Sequence, residues 1–451
     1  MGIFGAMLTA VSGLRSQAYG LENISGNIAN SQTVGFKRVD TSFVDLIPDM
    51  TLRRETAGSV TAFSRLTNGI QGDLLTTGEP TSIALNGDGY FVVRESAGFS
   101  DNQPVFGPGN LYTRRGDFQP DANGYLVNGA GYYLADAAGE PIQIPDTPVP
   151  AQATTSVTYT GILPTTPATA NRLANPNAAN SELLIAGTTN APFANNPRAA
   201  GSGGDGVVLG QDRADFLDRS VEGGTITVFN QAGAPVDLAL RWAKVDNTAG
   251  SEDWNLFYQI DADAGTGETA WQAFIDPISF NASGQLSPVP NLTIPATATI
   301  NGTALGGAVS VNLAAGFAQH GSGGTVQGGL QQNGSAAGTL TNVSVTEDGR
   351  IAGVYSNGQT RPLAQIGVAQ FNADNFLKRL DGGALQQTPE SGEATIGLSG
   401  AAVLGGMVEG SNTDIAEEFS KMIVTQQAYS ANTRVVSTAR EMMSDVINMV
   451  R

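Results

Sequence analysis

The sequence predicts a multidomain α+β protein whose N- and C-terminal helices pair as a coiled coil. Three observations lead to this fold class. Apolar residues recur every three or four positions near both ends of the chain, as in paired helices. Short alternating runs closed by turn residues fill the middle, which is typical of sandwich or small-barrel β domains. Composition shifts at 145–200 and 316–338 indicate that one mainly-β domain is nested within another.

The first thirty residues carry one apolar row with alternating steps of three and four residues. This row predicts an amphipathic helix whose apolar side forms a coiled-coil seam, interrupted only by Ser25. Turn-forming residues from Asn30 to Gly35 end the helix. We expect the N-terminal seam to be an assembly surface, and it consists of Phe4, Met7, Val11, Leu14, Ala18, Leu21 and Ile28.

The segment 411–451 contains neither proline nor glycine and repeats apolar residues at steps of seven. We expect a helix that is capped by Ser411, Asn412 and Asp414, because such side-chain oxygens accept hydrogen bonds from the first helical N–H groups. Acidic residues in its first turns favour the positive end of the helix dipole. The C-terminal seam, a second expected assembly surface, consists of Ile415, Phe419, Met422, Tyr429, Val436, Met443, Ile447 and Val450.

Between these helices the sequence predicts β-hairpins. Turn residues at 86–89, 121–124, 347–349 and 357–358 each separate two short apolar runs, which is a hairpin signal. All three tryptophans fall within 222–300, which we interpret as a second β core.

The nesting of these segments predicts a four-part domain organisation. The terminal helical domain comprises 1–35 and 406–451, the connecting loop 36–70, the inner β domain 71–148 and 330–405, and the inserted outer β domain 149–329.

The charge of the chain is strongly negative and unevenly distributed. The net charge is −18, whereas residues 1–70 carry six basic and five acidic groups and residues 401–451 carry four and six. The middle of the chain therefore holds a net charge of −17. Nucleic-acid binders usually present a basic surface, so we expect no nucleic-acid partner. No apolar run approaches the ~18 residues of a membrane-spanning helix, and we expect no membrane insertion.

Several kinds of chemical site are excluded by composition. The chain has no cysteine and a single histidine, His320, so thiolate zinc sites, cysteine nucleophiles and multi-histidine metal sites are impossible. Residues 201–206 fit GxGxxG, but they follow no strand pattern and precede no helix pattern. Residues 261–265 begin like a calcium loop and lack its later ligands. We therefore expect no catalytic, cofactor or metal site and no enzymatic activity.

Both ends of the chain resemble the flagellar axial family of rod, hook and hook-associated proteins. The N-terminal stretch resembles the family signature at Asn27, Asn30, Thr33, Gly35, Phe36 and Lys37. The C-terminal stretch resembles the family's C-terminal block at Glu409, Ser411, Asn412, Asp414, Glu418, Met422, Gln426, Tyr429 and Asn432. Thr413 and Met407 depart from the usual residues. The stretches LNGDGYFVV and LYTRRGDFQPDANGYLVN are similar to the family's β core.

Within the family, the inserted segment at 146–330 favours the hook members over the shorter rod proteins. Residues 151–164 and 278–287 resemble hook segments, although Ile162 stands where asparagine is expected. The resemblance implies a structural subunit that self-assembles into a curved, flexible tube and transmits torque from rod to filament. It also implies many copies of the chain as partners, rod and hook-associated proteins at the tube ends, and a cap and type III export apparatus during assembly.

The resemblance further implies an extracellular location in the flagellum. The N-terminus has no basic n-region and no clear cleavage site, so we expect export without a cleaved signal peptide. Two alternatives remain open at this point: a distal rod protein of the same family, and a secreted adhesin or surface-layer protein.

The N-terminal motif also has a local physical interpretation. Asn27 and Asn30 can cap the first helix or bind nearby backbone, Gly35 permits a positive φ, and Phe36 can anchor the turn in an apolar pocket. The motif is then either a helix stop or a loop that spans neighbouring subunits.

Overall fold

The structure is a computed structural model that describes residues 3–46, 59–185, 190–248, 252–321 and 326–449. The chain divides into two compact units, residues 1–147 with 340–451 and residues 148–339. The described residues are mainly β, and the helices near the two ends pack against each other, so this part of the predicted fold class is confirmed. The four-part domain organisation stays a prediction.

The described residues form two long α-helices near the chain ends and two short ones in the insert. The helices are α1 (Ile3–Ala29), α2 (Ala170–Ala174), α3 (Arg213–Asp218) and α4 (Ile415–Met449). Because α1 contains four glycines, its intrinsic helix propensity is low, and packing must stabilise it. No described helix is both long enough and apolar enough to cross a membrane.

The strands of the first unit begin directly after α1. Those before the insert are β1 (Val39–Leu46), β2 (Ser59–Leu66), β3 (Leu74–Thr76), β4 (Ile83–Asn86), β5 (Tyr90–Ser100), β6 (Gln103–Phe106), β7 (Leu111–Thr113), β8 (Gln119–Pro120), β9 (Leu126–Val127) and β10 (Tyr132–Leu134).

The second unit is the insert. Its strands are β11 (Ser156–Pro164), β12 (Val207–Leu209), β13 (Val221–Phe229), β14 (Pro235–Lys244), β15 (Glu252–Gln259), β16 (Thr269–Ala273), β17 (Ile278–Phe280), β18 (Leu292–Ile294), β19 (Thr299–Ile300), β20 (Thr303–Ala304), β21 (Val309–Leu313), β22 (Ala318–His320) and β23 (Gln327–Gln332).

The chain then returns to the first unit. The returning strands are β24 (Leu340–Val345), β25 (Arg350–Tyr355), β26 (Thr360–Gln365), β27 (Val368–Gln370), β28 (Lys378–Arg379), β29 (Ala384–Gln386), β30 (Thr395–Ile396), β31 (Ala402–Gly405) and β32 (Met407–Glu409).

Strands from before and after the insert pair with each other in the first unit. Strand β5 lies within a ten-stranded sheet in which β27 pairs with it antiparallel. Strand β31 pairs with β4, and β32 pairs with β3. One buried core runs through this unit and includes Ile83, Phe91, Phe118, Ile351 and Val403. This pairing brings the start of α4 next to the segment that follows α1.

The insert contains a six-stranded sheet around β15 and a five-stranded sheet around β11. Strand β11 pairs parallel with β21 and β22 and antiparallel with β23. Side chains from both sheets share one core. In this core the Trp242 ring contacts both Tyr159 of β11 and Trp254. Trp271 is buried in a neighbouring core of the same unit.

Two local predictions were wrong. The connecting loop predicted over 36–70 contains an antiparallel β-ribbon, because β1 pairs with β2 from Val39↔Leu66 to Leu46↔Ser59. The turn at 86–89 does not close a hairpin, since β4 pairs with β31 and β5 with other strands. In the second case, pairing with a strand from beyond the insert overrides the local turn signal.

Candidate assembly site

The two terminal helices meet through small and polar residues at steps of seven. A Cβ at Gly13 would lie 2.9 Å from Asn432 Nδ2, and one at Gly20 would lie 3.7 Å from Thr425 Cγ2. Seven residues further along α1, Asn27 Nδ2 donates to Glu418 Oε2 at 2.9 Å. The helices are therefore antiparallel and in heptad register, and glycine allows their backbones to approach closely.

The buried stripe of α1 is not the predicted N-terminal seam. The buried residues of α1 are Ala10, Gly13, Ser16, Gly20, Ile24 and Asn27. Of the predicted seam, Phe4 and Ala18 are exposed, and the rest, Met7, Val11, Leu14, Leu21 and Ile28, are only half-buried. The contact inside the chain thus uses a neighbouring face, because that face carries the small side chains.

The predicted C-terminal seam is likewise only partly covered. Met422, Val436 and Met443 are half-buried. Ile415, Phe419, Tyr429 and Ile447 are exposed, and Val450 lies outside the described residues. The buried residues of α4 are Glu418 and Ala439.

The N-terminal motif ties the end of α1 to the rest of the unit. Asn27 accepts from the Val39 N–H at 2.9 Å and donates to its carbonyl at 3.0 Å, so it holds the start of β1 as well as Glu418. Asn30 stays local: its amide donates to Gly26, and its carbonyl oxygen accepts from the Thr33 hydroxyl.

Gly35 occupies a position that no other residue fits well. Its φ is +68°, and a Cβ there would lie 2.6 Å from the backbone nitrogen of Arg115. Its N–H donates to the Glu409 carbonyl at 2.7 Å. The Phe36 ring lies under the guanidinium of Arg379, whose Cζ is 5.1 Å from the ring centroid.

A buried ionic cluster connects the segment after α1 with the end of β32, which precedes α4, and with the residue that follows β7. We call Lys37, Arg114 and Glu409 the clasp. The Glu409 carboxylate is fully buried, and it accepts from Lys37 Nζ at 2.5 Å and from Arg114 Nη1 at 3.2 Å. The Gly72 N–H donates to it at 2.8 Å.

Burial sets the protonation behaviour of the clasp. Desolvation lowers the pKa of Lys37 below its ordinary value of 10.5, and the Glu409 carboxylate opposes this shift. A buried ion pair is costly to form, and removing one partner is strongly destabilising because it leaves the other charge uncompensated. Loss of Glu409 from the clasp would therefore leave the buried charges of Lys37 and Arg114 uncompensated.

The three predicted capping residues of α4 have separate roles. Asp414 Oδ1 accepts from the N–H groups of Ala416 and Glu417 at 2.8 and 3.2 Å, which is the geometry of an N-cap. Asn412 instead reaches back to the N-terminal segment, accepting from the Arg38 N–H at 2.7 Å and donating to the Ile70 carbonyl at 3.1 Å. Ser411 accepts from the Thr413 N–H.

Comparison with known proteins identifies the family. Two family models match: the C-terminal domain of flagellar basal body rod FlgEFG proteins over 404–449, and the D1 domain of flagellar hook protein FlgE/F/G over 84–163. Flagellar hook protein FlgE of Brucella suis biovar 1 is 30% identical over 457 residues, with 100% of both chains covered. The chain belongs to the flagellar hook protein FlgE family.

FlgE of Escherichia coli is 28% identical, covering 98% of this chain and 100% of that one. The solved structure of Helicobacter pylori flagellar hook protein FlgE2 aligns with a TM-score of 0.48 at 13% identity, covering 73% of this chain and 98% of the other.

This FlgE-family chain is thus a structural subunit of the bacterial flagellar hook, which lies outside the cell. Its relatives are structural proteins rather than enzymes, and they do not favour the distal rod alternative.

Sequence reasoning missed two parts of this FlgE-family site. Arg114 lies in a stretch recognised only as β core, and its guanidinium also lies 5.4 Å from the ring centroid of Tyr90. Asn68 is almost fully buried, and its amide donates to the Asp374 carbonyl at 2.9 Å. A sequence signal existed for Arg114, since an arginine within a β run needs a partner when it is buried.

Proposed function

We propose that this chain polymerises through its terminal helices into a curved, flexible tube that transmits torque from the rod to the filament. The observation that carries the proposal is the exposure of apolar side chains on both helices. On α1 these include Phe4 at 67% and Leu8 at 71% exposed. On α4 they are Ile415, Phe419, Ile423, Val424, Tyr429, Val435, Met442, Val446, Ile447 and Met449.

Such a surface is unusual for a chain that acts alone. Exposed apolar patches rimmed by polar residues mark interaction sites. The 35-residue helix α4 would be about 52 Å long at about 1.5 Å per residue, and it buries few of its side chains within the chain. Copies of the same chain supply matching apolar helices, and we infer coiled-coil packing between them.

The contact between α1 and α4 supports separate roles for the small-residue face and the apolar faces of these helices. Polar pairs such as Asn27–Glu418 fix the register of two helices at a cost in stability. Close approach at Gly13 and Gly20 keeps the pair narrow and leaves the apolar rows directed elsewhere. We infer that the small-residue face serves the fold and the apolar faces serve assembly.

The clasp supports transmission of force from the helices. It connects the last residue of the N-terminal motif, Lys37, with Glu409 of β32, which precedes α4, and with Arg114, which directly follows β7. A load on either helix then passes into the same β unit through buried contacts, which have low compressibility. The acidic, glycine-rich insert would supply weak contacts that slide, and its two sheets with a shared core suggest a sandwich.

The remaining proposals follow from the family. Rod and hook-associated proteins would contact the tube ends, and a cap and the flagellar type III export apparatus would act during assembly. Export would proceed without a cleaved signal peptide.

The test is polymerisation of the purified full-length chain, followed by light scattering and electron microscopy. Val424→Asp, at an exposed apolar position, should raise the critical concentration at least tenfold, since about 1.4 kcal/mol corresponds to a factor of ten. Ser430→Asp, at an exposed polar position of α4, is the matched control and should polymerise normally. Circular dichroism should show equal helix content in both variants. Normal tube formation by Val424→Asp would contradict the proposal.

A further inference from the structure

An open groove lined by apolar and hydroxyl side chains lies between α1 and strand β2, on a side of α1 that does not face α4. It has a volume of about 650 Å³ and is lined by Leu8, Val11, Arg15, Tyr19, Val60 and Ala62, among others. We call it the α1 groove. Hydrogen bonds from the hydroxyls of Ser12 and Ser16 to the Val60 carbonyl, at 3.1 and 3.0 Å, hold its floor in place.

One charged side chain lines the groove. Arg15 is exposed, and no residue in the described part of the chain forms a hydrogen bond or ion pair with it. The groove therefore offers apolar side chains, several hydroxyls and one cation. A well-matched occupant would combine an apolar stripe with carboxylates along one flank.

The end of α4 has this combination. Met442, Val446 and Met449 are spaced by four and three residues, so they form one stripe, and they are 46%, 50% and 86% exposed. Glu441 and Asp445, four residues apart, flank this stripe on one side, and both are exposed. Anchors at i, i+4 and i+7 are the usual pattern by which a helix enters an apolar groove.

We propose that the end of α4 from a second copy of this chain occupies the α1 groove, with Glu441 and Asp445 opposite Arg15. This inference rests on the proposed self-assembly and names one contact within it. The chain's own α4 is already committed to the other face of α1, where Asn432 meets Gly13. The segment 47–58 is the other candidate occupant, but its two arginines are balanced by Asp49 and Glu55, so it brings no net negative charge to complement Arg15.

Cysteine cross-linking tests the contact directly, because the chain has no cysteine of its own. A full-length chain carrying Val11→Cys and Val446→Cys should form a disulfide-linked ladder when its polymers are oxidised, and only monomers when it is oxidised before assembly. The matched control pairs Val11→Cys with Ile447→Cys, which lies about 100° further around α4 and is also exposed. A ladder of equal strength in both pairs, or none in the first, would overturn the proposal.

Charge reversal gives an independent test. Arg15→Glu should raise the critical concentration for polymerisation about tenfold, because it places like charges together. Adding Glu441→Arg and Asp445→Arg to it should restore polymerisation to within about twofold of the wild type. Lys378→Glu, an equal change in charge at an exposed position of β28, should have no effect.

Different results would contradict the proposed self-assembly and the α1 groove contact. If the wild-type chain forms no polymer, the proposed self-assembly and this contact both fall. If the wild type polymerises and Arg15→Glu does so equally well, or the combined variant is no better than Arg15→Glu alone, only the α1 groove contact is wrong.

Discussion

The side-chain amide of Asn27 on α1 donates a hydrogen bond of 2.9 Å to the carboxylate of Glu418 on α4, 391 residues later in the chain. Both side chains are almost fully buried. Lys421 Nζ donates to the other oxygen of Glu418 at 2.8 Å, so both oxygens of the carboxylate are paired. This contact joins the two ends of the chain at one point, and it makes several predictions possible.

Asn27→Asp should weaken this junction. The change replaces the donor with a carboxylate beside Glu418 and also removes the bond to the Val39 carbonyl. We expect the free energy of unfolding to fall by about 3 kcal/mol, measured by urea denaturation. Asn30→Asp makes the same chemical change in a local, exposed contact and should cost less than about 1 kcal/mol. Equal losses in the two variants would contradict this interpretation of Asn27.

Two glycines near the end of α1 should respond oppositely to alanine. Gly35→Ala should lower the free energy of unfolding by at least about 2 kcal/mol, because φ is positive there and Cβ would meet the Arg115 backbone. Gly26→Ala should raise it by up to about 1 kcal/mol, since a helical Cβ there has no neighbour within 4 Å among the described residues. Thermal unfolding checks both, and a loss at Gly26 would mean that this face of α1 is covered.

Glu409→Gln should disrupt the clasp. Lys37 and Arg114 would remain buried without their counter-charge, and we expect a loss of about 3–5 kcal/mol in the free energy of unfolding. Glu417→Gln, which breaks half-exposed pairs to Arg38 and Lys421, is the control and should cost less than about 1 kcal/mol.

The Glu409→Gln variant should also depend on pH in a defined direction. Burial already holds the pKa of Lys37 below 10.5, and loss of Glu409 removes the group that opposes this shift. The unfolded chain then binds more protons than the folded chain over a wider window below 10.5, so stability should rise with pH through that window. Urea denaturation between neutral pH and pH 10 checks this. A decline in stability as pH rises would show that Lys37 is not the responsible group.

Tyr159 should make the insert sensitive to alkali. Burial raises its pKa to about 12, although the bond from Trp242 opposes the shift. The unfolded chain loses this proton near pH 10 while the folded chain keeps it, so stability is complete below pH 10 and declines above it. The loss should reach about 2 kcal/mol by pH 12.

Tyr159→Phe should flatten that alkaline decline. At neutral pH it should cost about 1–3 kcal/mol, because the Trp242 indole N–H and the Gly223 carbonyl lose their partner. Denaturation followed by tryptophan fluorescence at neutral pH and at pH 11 checks both effects. An unchanged alkaline slope would assign the decline to another buried tyrosine, such as Tyr258.

Local signals predicted the parts of this fold that depend on neighbours in sequence. Asp414 correctly predicted the start of α4 at Ile415, because capping requires only the adjacent helical N–H groups. The turns at 121–124 and 357–358 join the paired strands β8–β9 and β25–β26 for the same reason. The turn at 86–89 looked equivalent, but its strands found other partners across the sheet.

The sequence by itself determined that both ends are helical, that the middle is mainly β, and which residues resemble the flagellar family. Tertiary structure alone decided which face of α1 turns inward. Apolar periodicity pointed to the row from Phe4 to Ile28, whereas the chain buries Gly13, Gly20 and Asn27 against α4. Periodicity records where apolar side chains recur, but two helices within one chain can approach most closely where side chains are small. The apolar rows therefore remain for contacts that a single chain does not contain.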